Sequence, residues 1–451
     1  MGINKLKVII VGGGPIGLTA AHAFSKANID FVILERSQQP VIDAGSNLVL
    51  LPIGLRALGQ LGLRDSLNKV SSTLGVIDRQ DHNGRDIGDM RLFIHAEENF
   101  GIAPIVVSRH DLTKVLYESL PTDIQDKILT DKKVTSIKSR ENGVEVICAD
   151  GSTHEGSIVI GADGAHSVVR DQMRAVALEA GSEDVNDEKP FLTTYRALWV
   201  RCPTSAAGIA AGVTAETHGP DAATQLFSDK ETTVTGVYER LEEPTRDRVR
   251  YTEADQAALV ARWGHLPLVP GGKFSLKDAF TSRVQSGLVS LEEGVVEHWS
   301  WDGRIVLAGD AAHKFTPSTG AGCNNGIIDV IVLANEMNRI VEKVRTSSGD
   351  PQASPDRAQI ASAFKAYQTS RMEAVTRGCE GAGKATASAT WQTGVHKFID
   401  TWVLSSHYVQ RYMTNKMAPK IAQTPVLEFV KNEEQFHGKI PWANPTQSAT
   451  A

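Results

Sequence analysis

Four short apolar runs recur along the chain, at Val8–Val11, Phe31–Leu34, Ser157–Ile160 and within Gly303–Gly309. Unbroken runs of this length suit strands buried on both faces of a parallel sheet. Between the first two, Gly17 to Lys26 has the spacing of an amphipathic helix, so Lys7 to Arg36 reads as strand, turn, helix and strand. Asn47 to Gly62 has a Pro-Ile-Gly interruption followed by leucines at helical spacing, which predicts a strand end and a helix. Gly75 to Phe93 predicts an edge hairpin turning at Asn83-Gly84. In Val106 to Leu120, Ser108 is placed to cap a helix whose apolar stripe is Leu112, Val115, Leu116 and Leu120. Val134 to Ile147 alternates as a meander does, with Asn142-Gly143 and Asp150-Gly151 at its turns.

After a polar, acidic linker at Ala177 to Glu188 the pattern changes to long alternating stretches. Leu192–Cys202 and Thr224–Glu239 predict antiparallel strands suited to cover a substrate cavity. Alternation puts Tyr195 and Arg196 on opposite faces, one of them turned toward the cavity or a domain interface. A helix is predicted from near Glu253 to Trp263, and another through Val341. The Ala- and Gly-rich Phe364 to Ala387 suits closely packed helices, and Trp391 to Met413 suits an amphipathic helix packed on the body of the protein, with peripheral membrane contact as the rival. Asn444 to Ala451 is expected to be disordered.

The fold class expected is α/β: a Rossmann-like domain with a parallel sheet (residues 1–75, 106–186 and 286–345), interleaved with a mainly antiparallel β-sheet substrate domain (76–105 and 187–285) and followed by a helical C-terminal region (346–451). A chain of 451 residues with 41% apolar content supports more than one layer of core. Its formal charge of -6 and lack of a Lys/Arg block argue against a nucleic-acid partner. Cys148, Cys202, Cys323 and Cys379 are scattered without C-x-x-C spacing, which argues against zinc or a disulfide framework and for a reducing, cytoplasmic setting. No window approaches the ~20 apolar residues of a membrane span.

Candidate chemistry sits where the apolar runs end. Gly12, Gly14 and Gly17 form G-x-G-x-x-G, giving a tight turn, close approach to a pyrophosphate and close helix packing. Glu35 closes the second run, where a carboxylate can accept from ribose hydroxyls. Arg109 lies in a first helical turn, which disfavours a cation unless an anion is near. Asp163 follows the third run and could reach the ribityl or pyrophosphate region, with Arg170 as its partner or as a phosphate anchor. Asp310 follows the fourth, ahead of Gly320-Ala321-Gly322-Cys323-Asn324-Asn325-Gly326, a glycine-rich helix start that aims donors at an anion.

Together, GGGPIG with Glu35, Arg109, GADGAHSVVR and GDAAHKFTPSTGAG resemble the three fingerprints of the FAD-dependent aromatic hydroxylase class, the single-component flavoprotein monooxygenases. LEEGVVEHWSWDGRIVLAGDAAHK and the VLANEM run look like its fungal branch acting on meroterpenoids and indole terpenoids or alkaloids. The resemblance implies FAD, with NADPH or NADH as reductant. It also implies transfer of one oxygen atom from O₂, through a flavin C4a-hydroperoxide, to an electron-rich double bond of a prenylated or indole-containing small molecule. Carried over, Glu35 and Arg36 would hold the adenosine ribose, Gly45 and Arg109 the FAD chain, Asp163 the region shared with NADPH, and Asp310 the pyrophosphate and ribityl. The Gly322-Cys323 backbone would approach the isoalloxazine, and Arg196 would be catalytic. Two departures stand out: Gly320-Ala321-Gly322-Cys323 in place of Gly-Gln-Gly-Ala, and Ile328-Asp329 in place of a Glu-Asp pair. The rivals are an oxygen-independent flavin dehydrogenase and a non-catalytic flavin-holding protein. Halogenation is disfavoured because Trp299-Ser300-Trp301 lacks the Ile-Pro continuation and reads as packing.

Overall fold

The apolar runs pair as their two-sided burial requires. In a computed structural model describing residues 6–43 and 45–446, Lys7–Val11 lies parallel between Asp30–Leu34 and Ile158–Gly161, which pairs in turn with Ile305–Leu307. Ile128–Leu129 and Ser300–Trp301 complete the edges of this six-stranded sheet. Val8, Ile9, Ile10, Val159 and Val306 are wholly buried, each worth about 1.5–3 kcal/mol relative to exposure. Helices Pro15–Lys26 and Ala321–Ser348 pack on one another beside the sheet. The carboxyl ends of its strands therefore open between helix starts, the usual ligand crevice of such sheets.

The second layer is a seven-stranded sheet in the order His313–Lys314, Gln285–Val295, Leu192–Pro203, Thr232–Thr245, Ala222–Ser228, Thr214–Gly219 and Ile77–Asp81. All its pairs are antiparallel except the last. One face carries Leu198, Val200, Cys202, Leu226 and Val237 and is sealed by Leu259 and Leu276 from helices Glu253–Trp263 and Leu276–Thr281. The other face turns toward the parallel-sheet layer: Arg201 reaches Asp43, Gln225 reaches the Ser318 carbonyl and Tyr195 meets Thr390.

Several expected boundaries shift. The division at residue 286 falls inside a strand, because Gln285–Val295 is hydrogen-bonded along Leu192–Pro203; the chain leaves the antiparallel sheet only after Val295. The stretch Thr224–Glu239 is a hairpin of two strands, turning at Asp229–Glu231. Of the Gly75–Phe93 hairpin only Ile77–Asp81 is a full strand. Its return arm makes isolated bridges at Asp86 and Met90 before helix Leu92–Phe100, since it lacks apolar alternation. The region Phe364–Ala387 lies in one helix, Arg357–Ala389, of 33 residues. Glycines let it press close to its neighbours: a Cβ on Gly378 would lie 3.2 Å from the Phe315 ring and one on Gly383 3.0 Å from Glu293.

The segment Trp391–Met413 is not one helix packed inward. It breaks into Gly394–Phe398, a π turn at Ile399–Val403 and the helix His407–Ile421. Val395, Phe398 and Trp402 face solvent. Among the described residues no helix is long and apolar enough to cross a membrane. Of the C-terminal tail expected to be disordered, 447–451 lies outside the described residues.

Candidate functional site

Three loops at the carboxyl ends of the parallel strands converge. Gly12 has φ +106°, and a Cβ there would lie 2.5 Å from the Ala162 carbonyl oxygen. A Cβ on Gly17 would lie 1.9 Å from the carbonyl oxygen of Gly12, so only glycine lets the helix seat against the turn. Gly14 caps helix Pro15–Lys26 with no side-chain acceptor for its first N–H groups. That leaves the first-turn N–H groups without a capping side chain, as at an anion-binding helix start. At the end of the second strand the Glu35 carboxylate accepts from the backbone N–H of Gly13 (2.6 Å) and of Ser37 (2.8 Å), with Arg36 exposed beside it.

Ser108 caps helix Arg109–Glu118 by accepting from the Asp111 N–H at 2.9 Å, and Arg109 is the first residue of that helix. Its side chain runs along Gly45, whose φ is +106° and whose Cβ would lie 3.2 Å from Arg109 Cδ. It ends against Gly14, where a Cβ would lie 3.7 Å from Nη2. Among the described residues this exposed guanidinium has no carboxylate partner. Next to it, Asn47 has both amide atoms buried without a hydrogen-bond partner. A cation and a buried amide, both unpaired at one groove, are what an anionic polar ligand would satisfy.

Asp310 follows the fourth strand in a 3₁₀ turn, Gly309–Ala311, and its Oδ1 lies 4.0 Å from where a Gly322 Cβ would stand. Gly322 and Cys323 are in the first turn of helix Ala321–Ser348, capped by Gly320 at φ +63°. Burial pushes the Cys323 thiol up to about 12, and both Arg109 and Asp310 are near enough to act on it electrostatically. Cys323 is therefore a neutral small residue here, not a thiolate.

Beneath this turn Asp329 is wholly buried. It accepts from the Gly309 N–H at 3.0 Å, from His313 Nε2 and from Arg371 Nε at 2.8 Å. Burial raises its pKa, but His313 and Arg371 outweigh that and hold the carboxyl at about 2. Arg371 also donates to Asn325. The charge network thus fixes the Asp310 turn and the start of the long helix together.

The structure brings Gly14 and Gly45 against Arg109, Gly17 against Gly12, Gly322 against Asp310, Cys323 within electrostatic reach of Arg109 and Asp310, and Glu35 against Gly13, while Arg36 is exposed beside Glu35. Asp163 lies beneath Gly12, but its carboxylate is turned inward. Oδ1 accepts from the Ser167 hydroxyl at 2.5 Å and Oδ2 from the Val169 N–H at 3.1 Å, while burial raises its pKa against those bonds. Arg170 neither pairs with it nor points to the groove, since it donates to the Ala311 and Ala165 carbonyls.

Arg196 is on the wrong face. It shares the side of the sheet that carries Leu198 and Val200, and its guanidinium pairs with Glu239 at 2.6 Å, alongside Trp263 and Arg262. Tyr195 points inward instead, and counting by twos from it leads to Trp199 and Arg201. Arg201 makes a two-pronged pair with Asp43, at 2.6 and 3.1 Å, in the loop that leads to Gly45. The sequence carried this signal in its alternation. Asn47 and the Asp329 network had no local signal, because each is defined by partners far along the chain.

The family model described as "FAD binding domain" matches residues 5–366. A FAD-dependent monooxygenase of Neurospora crassa, srdH, is 32% identical over 449 residues, covering 97% of this chain and 98% of its own. The FAD-dependent monooxygenase ausM of Penicillium brasilianum is 30% identical over 353 residues, covering 77% and 72%. Among solved structures, p-nitrophenol 4-monooxygenase PnpA of Pseudomonas putida superimposes with a TM-score of 0.71 at 19% identity, over 92% of this chain and 98% of that one.

Proposed function

Taking as premise that the chain belongs to the FAD binding domain family and is a FAD-dependent monooxygenase, we propose that it uses NADPH or NADH to place one oxygen atom of O₂ on an electron-rich double bond of an apolar, prenylated or indole-containing metabolite. The observation that carries the cofactor assignment is Arg109, a carboxylate-free cation lying between Gly14 and Gly45 with the unpaired Asn47 amide beside it. A dinucleotide laid along the groove satisfies both. Glu35 would accept from the ribose hydroxyls, Arg109 and the helix N–H groups after Gly14 would neutralise the pyrophosphate, and Asp310 would accept from the ribityl chain. When FAD is bound, the N–H groups at Gly322 and Cys323 would supply donors toward its ring system, where they favour negative charge.

FAD, when bound, supplies electron uptake from the nicotinamide and activation of O₂. One oxygen atom enters the product, the other leaves as water, and the nicotinamide is oxidised. The protein's share is orientation and exclusion of water. The inner sheet face offers Trp199, Phe227, Tyr238 and Leu291, an aromatic and apolar wall that suits a substrate of that kind. Gln225 donates to the Ser318 carbonyl and accepts from Tyr238, tying that wall to the turn ahead of Gly320. Arg201, held by Asp43, is one of the cations on this face, along with Arg79, which is held by Asp400, and we assign to Arg201 the role expected for Arg196.

The test is NADPH oxidation and O₂ uptake by the purified protein against a panel of terpenoid and indole-containing compounds, with product mass. A product heavier by one oxygen, with one O₂ consumed per NADPH, supports the reading. NADPH oxidation that proceeds without O₂ favours a dehydrogenase and removes it.

A further inference from the structure

We propose that the segment from Gly394 to Ile421 seats the protein on an anionic lipid surface. The inference does not rest on the substrate assigned above. One side of the segment is locked to the body. Asp400, buried in the π turn, accepts from Arg79 Nη1 at 2.9 Å, from His218 and from Trp391 Nε1. Gln410 bonds to Arg91, Asp89 and Leu404, and Ala418 is wholly buried. The other side is bare.

Thirteen large apolar residues are exposed among the described residues, and seven of them lie between Val395 and Met417. Trp402 is 72% and Tyr408 82% exposed. Val395, Phe398 and Trp402 follow one another at helical spacing, as do Tyr408 with Tyr412 and Met413 with Met417, so each group shares a side. Such clustering on a folded chain marks an interaction surface. Trp and Tyr, with an apolar body and a polar edge, are the aromatics that settle at a bilayer interface.

Charge selects the occupant. The chain as a whole is at -6, yet this segment carries Lys397, Arg411, Lys416 and Lys420 against one acid, the buried and paired Asp400. The nearby acids are already held: Asp89, in the loop ahead of helix Leu92–Phe100, by Arg91 and His407; Glu98 by Arg411 and Lys439; and Glu373, which faces Lys420, by Arg377. Lys397, lying over the Trp391 ring, Lys416, and Lys420, which faces the Arg377-paired Glu373, hold no salt bridge among the described residues and meet anionic headgroups while their stems lie along the apolar side. A second copy of the chain docked by the same face would set these lysines against their own counterparts.

The experiment uses the full flavin-loaded chain, sedimented with vesicles of phosphatidylcholine alone or mixed two to one with phosphatidylserine. Binding is expected to the mixed vesicles. The variant K397E/K416E/K420E should lose it by roughly 100-fold, at about five-fold or more for each cation removed. The variant W402S/Y408S should lose binding with flavin content and Tm unchanged. Should either variant fold poorly, hydroxyl-radical footprinting of the unaltered protein decides, with vesicles protecting Trp402, Tyr408 and Tyr412. No binding to mixed vesicles, binding that survives both variants, or a dimer that W402S/Y408S dissolves would each overturn the proposal.

Discussion

Replacing Asp329 by Asn keeps the shape of a wholly buried side chain and removes its charge. In the native protein one oxygen takes the Gly309 N–H and His313, and the other takes Arg371. An amide must turn its N–H₂ toward either Arg371 or Gly309, both of them donors, and leaves the buried guanidinium without a counter-charge. Breaking one partner of a buried pair costs about 3–5 kcal/mol. The carboxyl held at about 2 against 3.8 agrees in scale, being roughly 2–3 kcal/mol at about 1.4 per pH unit. That contribution is complete above pH 3.8 and is lost as pH falls through 2. For a chain of 451 residues a fall of Tm by roughly 3–5 °C is expected at neutral pH. Because Gly309 leads directly into Asp310, a weakening of FAD binding of about ten-fold should accompany it, read by flavin fluorescence on release. A variant with native Tm and native flavin affinity would refute the idea that this network holds the turn.

Arg196→Ala, which removes a pair on the far face of the sheet, should leave flavin binding and the ratio of NADPH oxidised to product formed unchanged; a rise in H₂O₂ would return Arg196 to the site. Gly45→Val combines a backbone at φ +106° with a Cβ 3.2 Å from Arg109, so FAD affinity should drop by about 10–100-fold, on the scale of 1–3 kcal/mol, with the fold intact by circular dichroism. His218 is wholly buried; burial lowers its pKa but Asp400 and Glu216 push it up to about 9. Its stabilisation, roughly 3 kcal/mol, should be full below pH 6.5 and be lost as pH rises through 9, and His218→Gln should flatten Tm against pH over that window.

The parallel layer was legible because its strands announce themselves: four apolar runs are local signals, Glu35, Asp163 and Asp310 lie just beyond three of them, and Arg109 follows the strand Ile105–Ser108. The antiparallel layer was legible in kind but not in facing. Alternation separated Tyr195 from Arg196, yet which one looked inward depended on helix Glu253–Trp263 covering the far side, a contact from about sixty residues downstream. Asp163 shows the same limit. Its place at a strand end was right, while its use as a cap for helix Val168–Glu179 depended on Ser167 and Val169, which the motif alone does not orient. Trp391–Met413 had the periodicity of a packed helix, and the buried Asp400 turned it apolar side out.

The central claim is one FAD per chain, gripped by the groove between Gly14, Gly45, Arg109 and Asp310. Gentle purification followed by denaturation and quantification of released flavin tests it most directly, with Arg109→Ala measured in parallel. The account predicts close to one FAD per native chain and a much weaker, washable flavin in the variant. A colourless native protein that takes up no added FAD, or a variant that holds flavin as tightly as the native chain, would contradict it.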